Sequence, residues 1–165
     1  LLNDYFGAVA EPIVAQGGQI LDFIGDAVLA IFPLAGDAIA RARLATAEAL
    51  FNLEAFRARH PVLAGRADLA DVAGIAIATG TVVYGNIGIP TRLTFSVIGP
   101  TVNEVARIER LTKLLHEPVL VTRPIADADP RLWRGRGAHR LDGVTGAAEL
   151  FAPQPGEWQP PVERG

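Results

Sequence analysis

The sequence contains no cysteine, which excludes disulfides and thiolate metal sites. It contains no methionine either, position 1 included. It opens mid-pattern on Leu1-Leu2, as expected of a piece of a longer protein. Lysine is almost missing: of fifteen basic residues only Lys113 is lysine, and the others are arginine. Positive charge does not dominate. The net charge is -3, so the chain lacks the broad basic footprint that general nucleic-acid binding needs. Aromatics make up 7% of the residues. Tyr84 and Phe95 stand isolated, which argues against a ferredoxin-like RNA-binding sheet, where paired exposed aromatics stack the bases. No apolar run approaches the ~20 residues of a membrane-spanning helix.

What remains is a chain of 165 residues, half of them hydrophobic and a fifth charged. That is enough for one domain with a real core. Residues 1–16 show helical spacing through Leu2, Phe6, Val9 and Ile13, interrupted by Pro12 and ended by Gly17-Gly18. Residues 19–32 read as a β-hairpin turning at Gly25-Asp26. Strict alternation puts Ile20, Asp22 and Ile24 on one side of its first strand and Leu21 and Phe23 on the other. A second helix is expected over 37–59 and a loop, or a partly ordered segment, over 61–71. Residues 74–80 and 81–88 read as two strands of a second hairpin, with a buried strand over 93–99. Pro100 then opens a helix to about Leu115, with Val102, Val105, Ile108, Leu111 and Leu115 inward. Residues 118–122 read as a strand. Residues 139–141 and 147–151 pair around Asp142-Gly143. Irregular alternation of helices and hairpins gives an α+β class with a mostly antiparallel sheet and helices on one face. The expected domain is 1–152, followed by a Pro-rich tail over 153–165.

Candidate functional residues follow from placement. Asp26 is a carboxylate held at the tip of a hairpin, although Asp in a Gly-Asp turn can serve the turn alone. Asn103, Arg107 and Arg110 share one face of the helix after Pro100. Arg107 alone on that face reads as a surface ion-pair residue that Glu104 or Glu109 could serve. His60, His116 and His139 show no ligand spacing.

Three segments together resemble the class III nucleotidyl cyclases, the catalytic domain of adenylate and guanylate cyclases. They are Gly17-Gly-Gln-Ile-Leu-Asp-Phe-Ile-Gly-Asp26, Gly80-Thr-Val-Val-Tyr-Gly-Asn-Ile-Gly88, and Arg92-Leu-Thr-Phe-Ser-Val-Ile-Gly-Pro-Thr-Val-Asn-Glu-Val-Ala-Arg107. Their order and spacing over residues 1–152 make the match specific. The resemblance implies a ferredoxin-like cyclase fold. It implies conversion of ATP to 3′,5′-cyclic AMP and pyrophosphate with two divalent ions, Mg²⁺ or Mn²⁺. It assigns Asp26 as a metal ligand, Arg107 as the cation at the α-phosphate, and Asn103 as the residue orienting the ribose. Asp22 and Ser96 take the positions that read the purine, and Arg140 is a candidate for reaching the triphosphate. Because the family draws these groups from two chains, a homodimer is implied, in cytoplasmic signal transduction with no membrane contact from this domain.

The sequence departs from the family twice. Asp22 stands where a lysine usually donates to adenine, and a carboxylate offers only acceptors. Asp22 could instead accept from guanine, which keeps GTP open as substrate. The family's first strand, with its first metal-binding Asp, falls before residue 1, so this stretch alone is expected to be inactive. The alternative is a catalytically degenerate cyclase-like module for dimerisation or nucleotide sensing.

Overall fold

The computed structural model describes residues 1–156, and of Ile87, Arg92, Leu93 and Thr94 the backbone alone. The part of the expected tail from residue 157 on lies outside the described residues. The chain folds as two compact units, Leu1–Ala73 and Gly74–Pro153.

In the first unit, α1 (Leu2–Ala15) leads into β1 (Gln19–Ile24) and β2 (Ala27–Ile31), followed by α2 (Ala38–Arg59) and the single turn α3 (Pro61–Ala64). Pro12 lies inside α1 as its buried residue, and the helix continues through it. The buried positions of α2 are largely alanine, with Leu53 and Phe56 as its large buried side chains. Small residues let two helices approach closely, and the pair is tied across: Asn52 donates to the carbonyl of Ala8 at 3.2 Å, and Tyr5 packs on Phe56. Arg41 donates to Gln16 O at the end of α1 and to Asp37 Oδ1. The segment 61–71, expected as a loop or partly ordered, holds α3 and a 3₁₀ turn at Leu69–Asp71.

The second unit holds β3 (Ile75–Ile77), β4 (Val83–Ile89), β5 (Arg92–Ile98), α4 (Pro100–Leu114), β6 (Val119–Thr122), α5 (Arg123–Ala128), β7 (Trp133–Arg140) and β8 (Ala147–Pro153). A four-stranded sheet runs in the order β3-β6-β8-β7, with β3 parallel to β6 and the other pairs antiparallel. The central strand β6 is buried along its length, as a strand flanked on both sides must be. Ile108 of α4 packs with Leu120, Leu141, Leu150 and Ala152 in one core.

Three local expectations are corrected. Residues 74–88 do not form a hairpin: β3 pairs with β6, and β4 pairs with β5 around Pro90-Thr91. The strand over 93–99 is not buried, since Phe95 is 42% and Ile98 56% exposed. In β1 the register shifts between Ile20 and Asp22, so Leu21 is an extra residue and strict alternation breaks there. Among the described residues no helix is long and apolar enough to cross a membrane.

Candidate active site

Asp26 is the second residue of the two-residue loop between β1 and β2. Gly25 before it has φ +62, which fits a type II′ turn, where glycine takes the first central position. Asp26 is exposed, and its carboxylate has no hydrogen-bond or ion-pair partner among the described residues. Farther down the strand, Phe23 meets Phe6 of α1 edge-on at 5.0 Å between ring centroids. Asp22 therefore leaves the strand on the side away from α1. It is exposed, and its Oδ1 accepts the Phe23 backbone N–H at 2.8 Å.

Ser96 lies in the second unit, half-buried on β5 and directly across the ladder from Gly85. No heavy atom stands where a Cβ on Gly85 would sit, so the residue directly opposite puts no side chain against the serine.

Pro100 opens α4, where its missing N–H costs nothing. Gly99 before it has φ +155, and a Cβ there would come within 2.9 Å of the Thr81 carbonyl oxygen. Asn103 and Arg107 follow on one face of α4, four residues apart. Asn103 is exposed and Arg107 half-buried. The Arg107 Nε–H donates to the backbone carbonyl of Asp142 at 3.2 Å. Its two outer nitrogens have no partner among the described residues. Arg123 is the contrasting case. It donates twice to Glu149, lies near Asp127 and stacks over Phe151. Its hydrogen bond to Glu149 is the main cause holding it above its usual pKa. Arg107 has the open fork that Arg123 lacks. Arg140 is exposed at the end of β7, opposite Ala147.

Asp22 and Asp26 thus share one hairpin, and Asn103 and Arg107 one helix face. His60 and His139 each engage a backbone carbonyl, Phe56 O and Arg136 O, at 2.7 Å. The sequence reading missed the Asp142 carbonyl that holds Arg107. Asp142-Gly143 was legible as a turn, but nothing local points a turn at a helix 35 residues away.

A hard divalent cation prefers carboxylate oxygens at an open, rigid position, and Asp26 fits that donor chemistry. Among the described residues no three acidic or histidine side chains cluster to hold a metal.

No family model matches the chain. An adenylate cyclase of Anabaena cylindrica is 35% identical over 126 residues, covering 75% of this chain and 24% of that protein. Adenylate cyclase 1 of Rhizobium meliloti is 30% identical over 159 residues, covering 92% of this chain and 23% of that protein. The chain thus spans about a quarter of the length of these relatives. Among solved structures, a bacterial light-regulated adenylyl cyclase matches with TM-score 0.75 and 27% identity, over 97% of this chain and 45% of that one. The guanylyl cyclase Cya2 matches with TM-score 0.69 and 25% identity, over 96% of this chain and 82% of that one. With an α+β fold shared along nearly its whole length and relatives named as adenylate cyclases, the chain belongs to the class III nucleotidyl cyclase family.

Proposed function

We propose that the chain is the catalytic domain of an adenylate cyclase, acting in cytoplasmic signal transduction, that converts ATP to 3′,5′-cyclic AMP and pyrophosphate. The observation that carries this reading is the pair on one face of α4, exposed Asn103 and half-buried Arg107, with the outer nitrogens of Arg107 open. In the reaction the ribose 3′-hydroxyl attacks the α-phosphate, the bond to pyrophosphate breaks, and negative charge grows on the phosphate oxygens. Arg107 meets that charge with a planar fork that bonds phosphate bidentately, which lysine cannot do. Asn103, one turn earlier, holds the ribose so that the hydroxyl is in line, and such positioning can contribute ~7 kcal/mol or more. Asp26 would hold one of two divalent cations, Mg²⁺ or Mn²⁺. When bound, these cations help to ionise the hydroxyl and offset phosphate charge. Asp26 is the one carboxylate proposed for that site among the described residues, and this stretch alone is proposed to be inactive.

We further propose that the site is completed in a homodimer, with Asp26 from one copy and Asn103 and Arg107 from the other. The hairpin β4–β5 supports this. It exposes Val83, Tyr84, Ile89, Phe95 and Ile98, and a two-stranded hairpin is marginal in water unless something packs on it. Alternation puts Val83, Ile89 and Ile98 on one face and Tyr84 and Phe95 on the other, and a second copy packing against the hairpin would account for its composition.

Asp22 supports a second reading, guanylate cyclase activity. One of its oxygens is taken by the Phe23 N–H, and the carboxylate can still accept from a guanine N1–H or amino group. Against adenine N1 it sets acceptor against acceptor, at a cost of about 1–3 kcal/mol. Assay of the full-length protein with ATP and with GTP, each with Mn²⁺, tests both. Cyclic AMP supports the first reading and cyclic GMP the second. Formation of neither overturns the enzyme reading in favour of a degenerate, nucleotide-sensing module.

A further inference from the structure

We propose that the turn between β7 and β8 is a positioning element for Arg107, so that the Asp142 carbonyl aims the guanidinium; this rests on the cyclase reading above. The bond itself is the Arg107 Nε–H to Asp142 O, at 3.2 Å. Both of its ends are tied to one core. Ile108, next to Arg107, is fully buried, and Leu141, next to Asp142, is 5% exposed in the same cluster. Val144 packs against that cluster too, and its N–H donates to Leu141 O at 3.1 Å, closing the turn. Asp142 and Gly143 are left at an exposed apex whose two sides are anchored. Gly143 has φ +76, a conformation open to glycine and strained for most side chains.

The chemical consequence lies in which nitrogens remain. A guanidinium is a rigid plane, so fixing Nε fixes the direction of the outer pair. Arg107 is thereby directed to present its two outer amino groups end-on, as a fork for two oxygens of one phosphate. A free arginine would sample many orientations and meet the transition state in few of them. The turn touches no substrate atom and acts only through Arg107. Its loss should therefore lower kcat and leave KM nearly unchanged, because the fork is needed where charge develops.

The test uses the full-length protein and three variants of the turn. Gly143→Val strains the apex and shifts the carbonyl. Gly143→Asn keeps a residue that tolerates positive φ, and Asp142→Ala keeps the carbonyl while deleting the carboxylate. We expect Gly143→Val to lower kcat about tenfold with KM changed less than about twofold, and the other two to stay near the unmodified protein. In an Arg107→Ala background Gly143→Val should cost nothing more. An equal loss in both backgrounds, or a loss confined to KM, overturns the proposal. A second readout does not depend on turnover. The Arg107 Nε–H proton should exchange slowly with water in the unmodified protein and faster in Gly143→Val. Fast exchange in an active, unmodified protein overturns this role alone. Absence of turnover with either nucleotide overturns the cyclase reading and this role together.

Discussion

Asn103 and Arg107 stand one turn apart on α4, with Asn103 exposed and Arg107 half-buried beside the fully buried Ile108. The helix is thus fixed from within at the position that presents the cation. Replacing Arg107 with alanine in the full-length protein should lower kcat about 10²–10³-fold, the scale of losing one transition-state donor, with little change in KM. Asn103→Ala should cost less, because it orients a group and does not neutralise growing charge. Steady-state kinetics on both variants checks this. A large rise in KM with kcat unchanged would assign Arg107 to ground-state binding.

Asp22 is the residue on which purine choice turns. Asp22→Lys restores a donor, and should shift the ratio of kcat/KM for ATP over GTP toward ATP by about 10- to 100-fold, from the 1–3 kcal/mol cost of a mispaired buried polar group. Competition between the two nucleotides gives the ratio directly. An unchanged ratio would mean that the exposed carboxylate never faces the base.

Gly74 and Gly80 both lie against threonines of α4, and the two should differ. A Cβ at Gly74 would overlap Thr112, which is 1% exposed and donates to Glu109 O at 2.5 Å. A Cβ at Gly80 would overlap Thr101, which is only half-buried. Gly74→Ala should therefore destabilise by about 1–3 kcal/mol, as overpacking of a core does, and Gly80→Ala by less. Urea unfolding of the two variants checks the order.

Much of the fold was legible because local pattern decides it. Apolar spacing marked α1, α2 and α4, and the Gly-Asp and Asp-Gly turns marked the hairpins β1–β2 and β7–β8. What was not legible depends on pairing at a distance. β3 is three residues long and runs parallel to β6, and no local signal names that partner. The neighbouring β-branched run over 81–88 suggested a hairpin instead. The exposure of Phe95 and Ile98 is hidden for the same reason: an apolar strand reads as buried when its two-stranded setting is unknown. The bulge at Leu21 has no glycine or proline to announce it. Of the candidate site, the residue types and their spacing on α4 could be read from sequence, whereas the carbonyl that orients Arg107 could not.

The most direct test of a site shared between two copies is to mix two inactive variants. Full-length Asp26→Ala and Arg107→Ala should each keep no more than about a hundredth of the unmodified turnover. Co-refolded in equal amounts, they should recover about a quarter of the unmodified turnover, since half of the dimers are mixed and each mixed dimer holds one intact site of two. No recovery in dimers shown to be mixed, or full turnover by either variant alone, would contradict a cleft built from Asp26 of one chain and Arg107 of its partner.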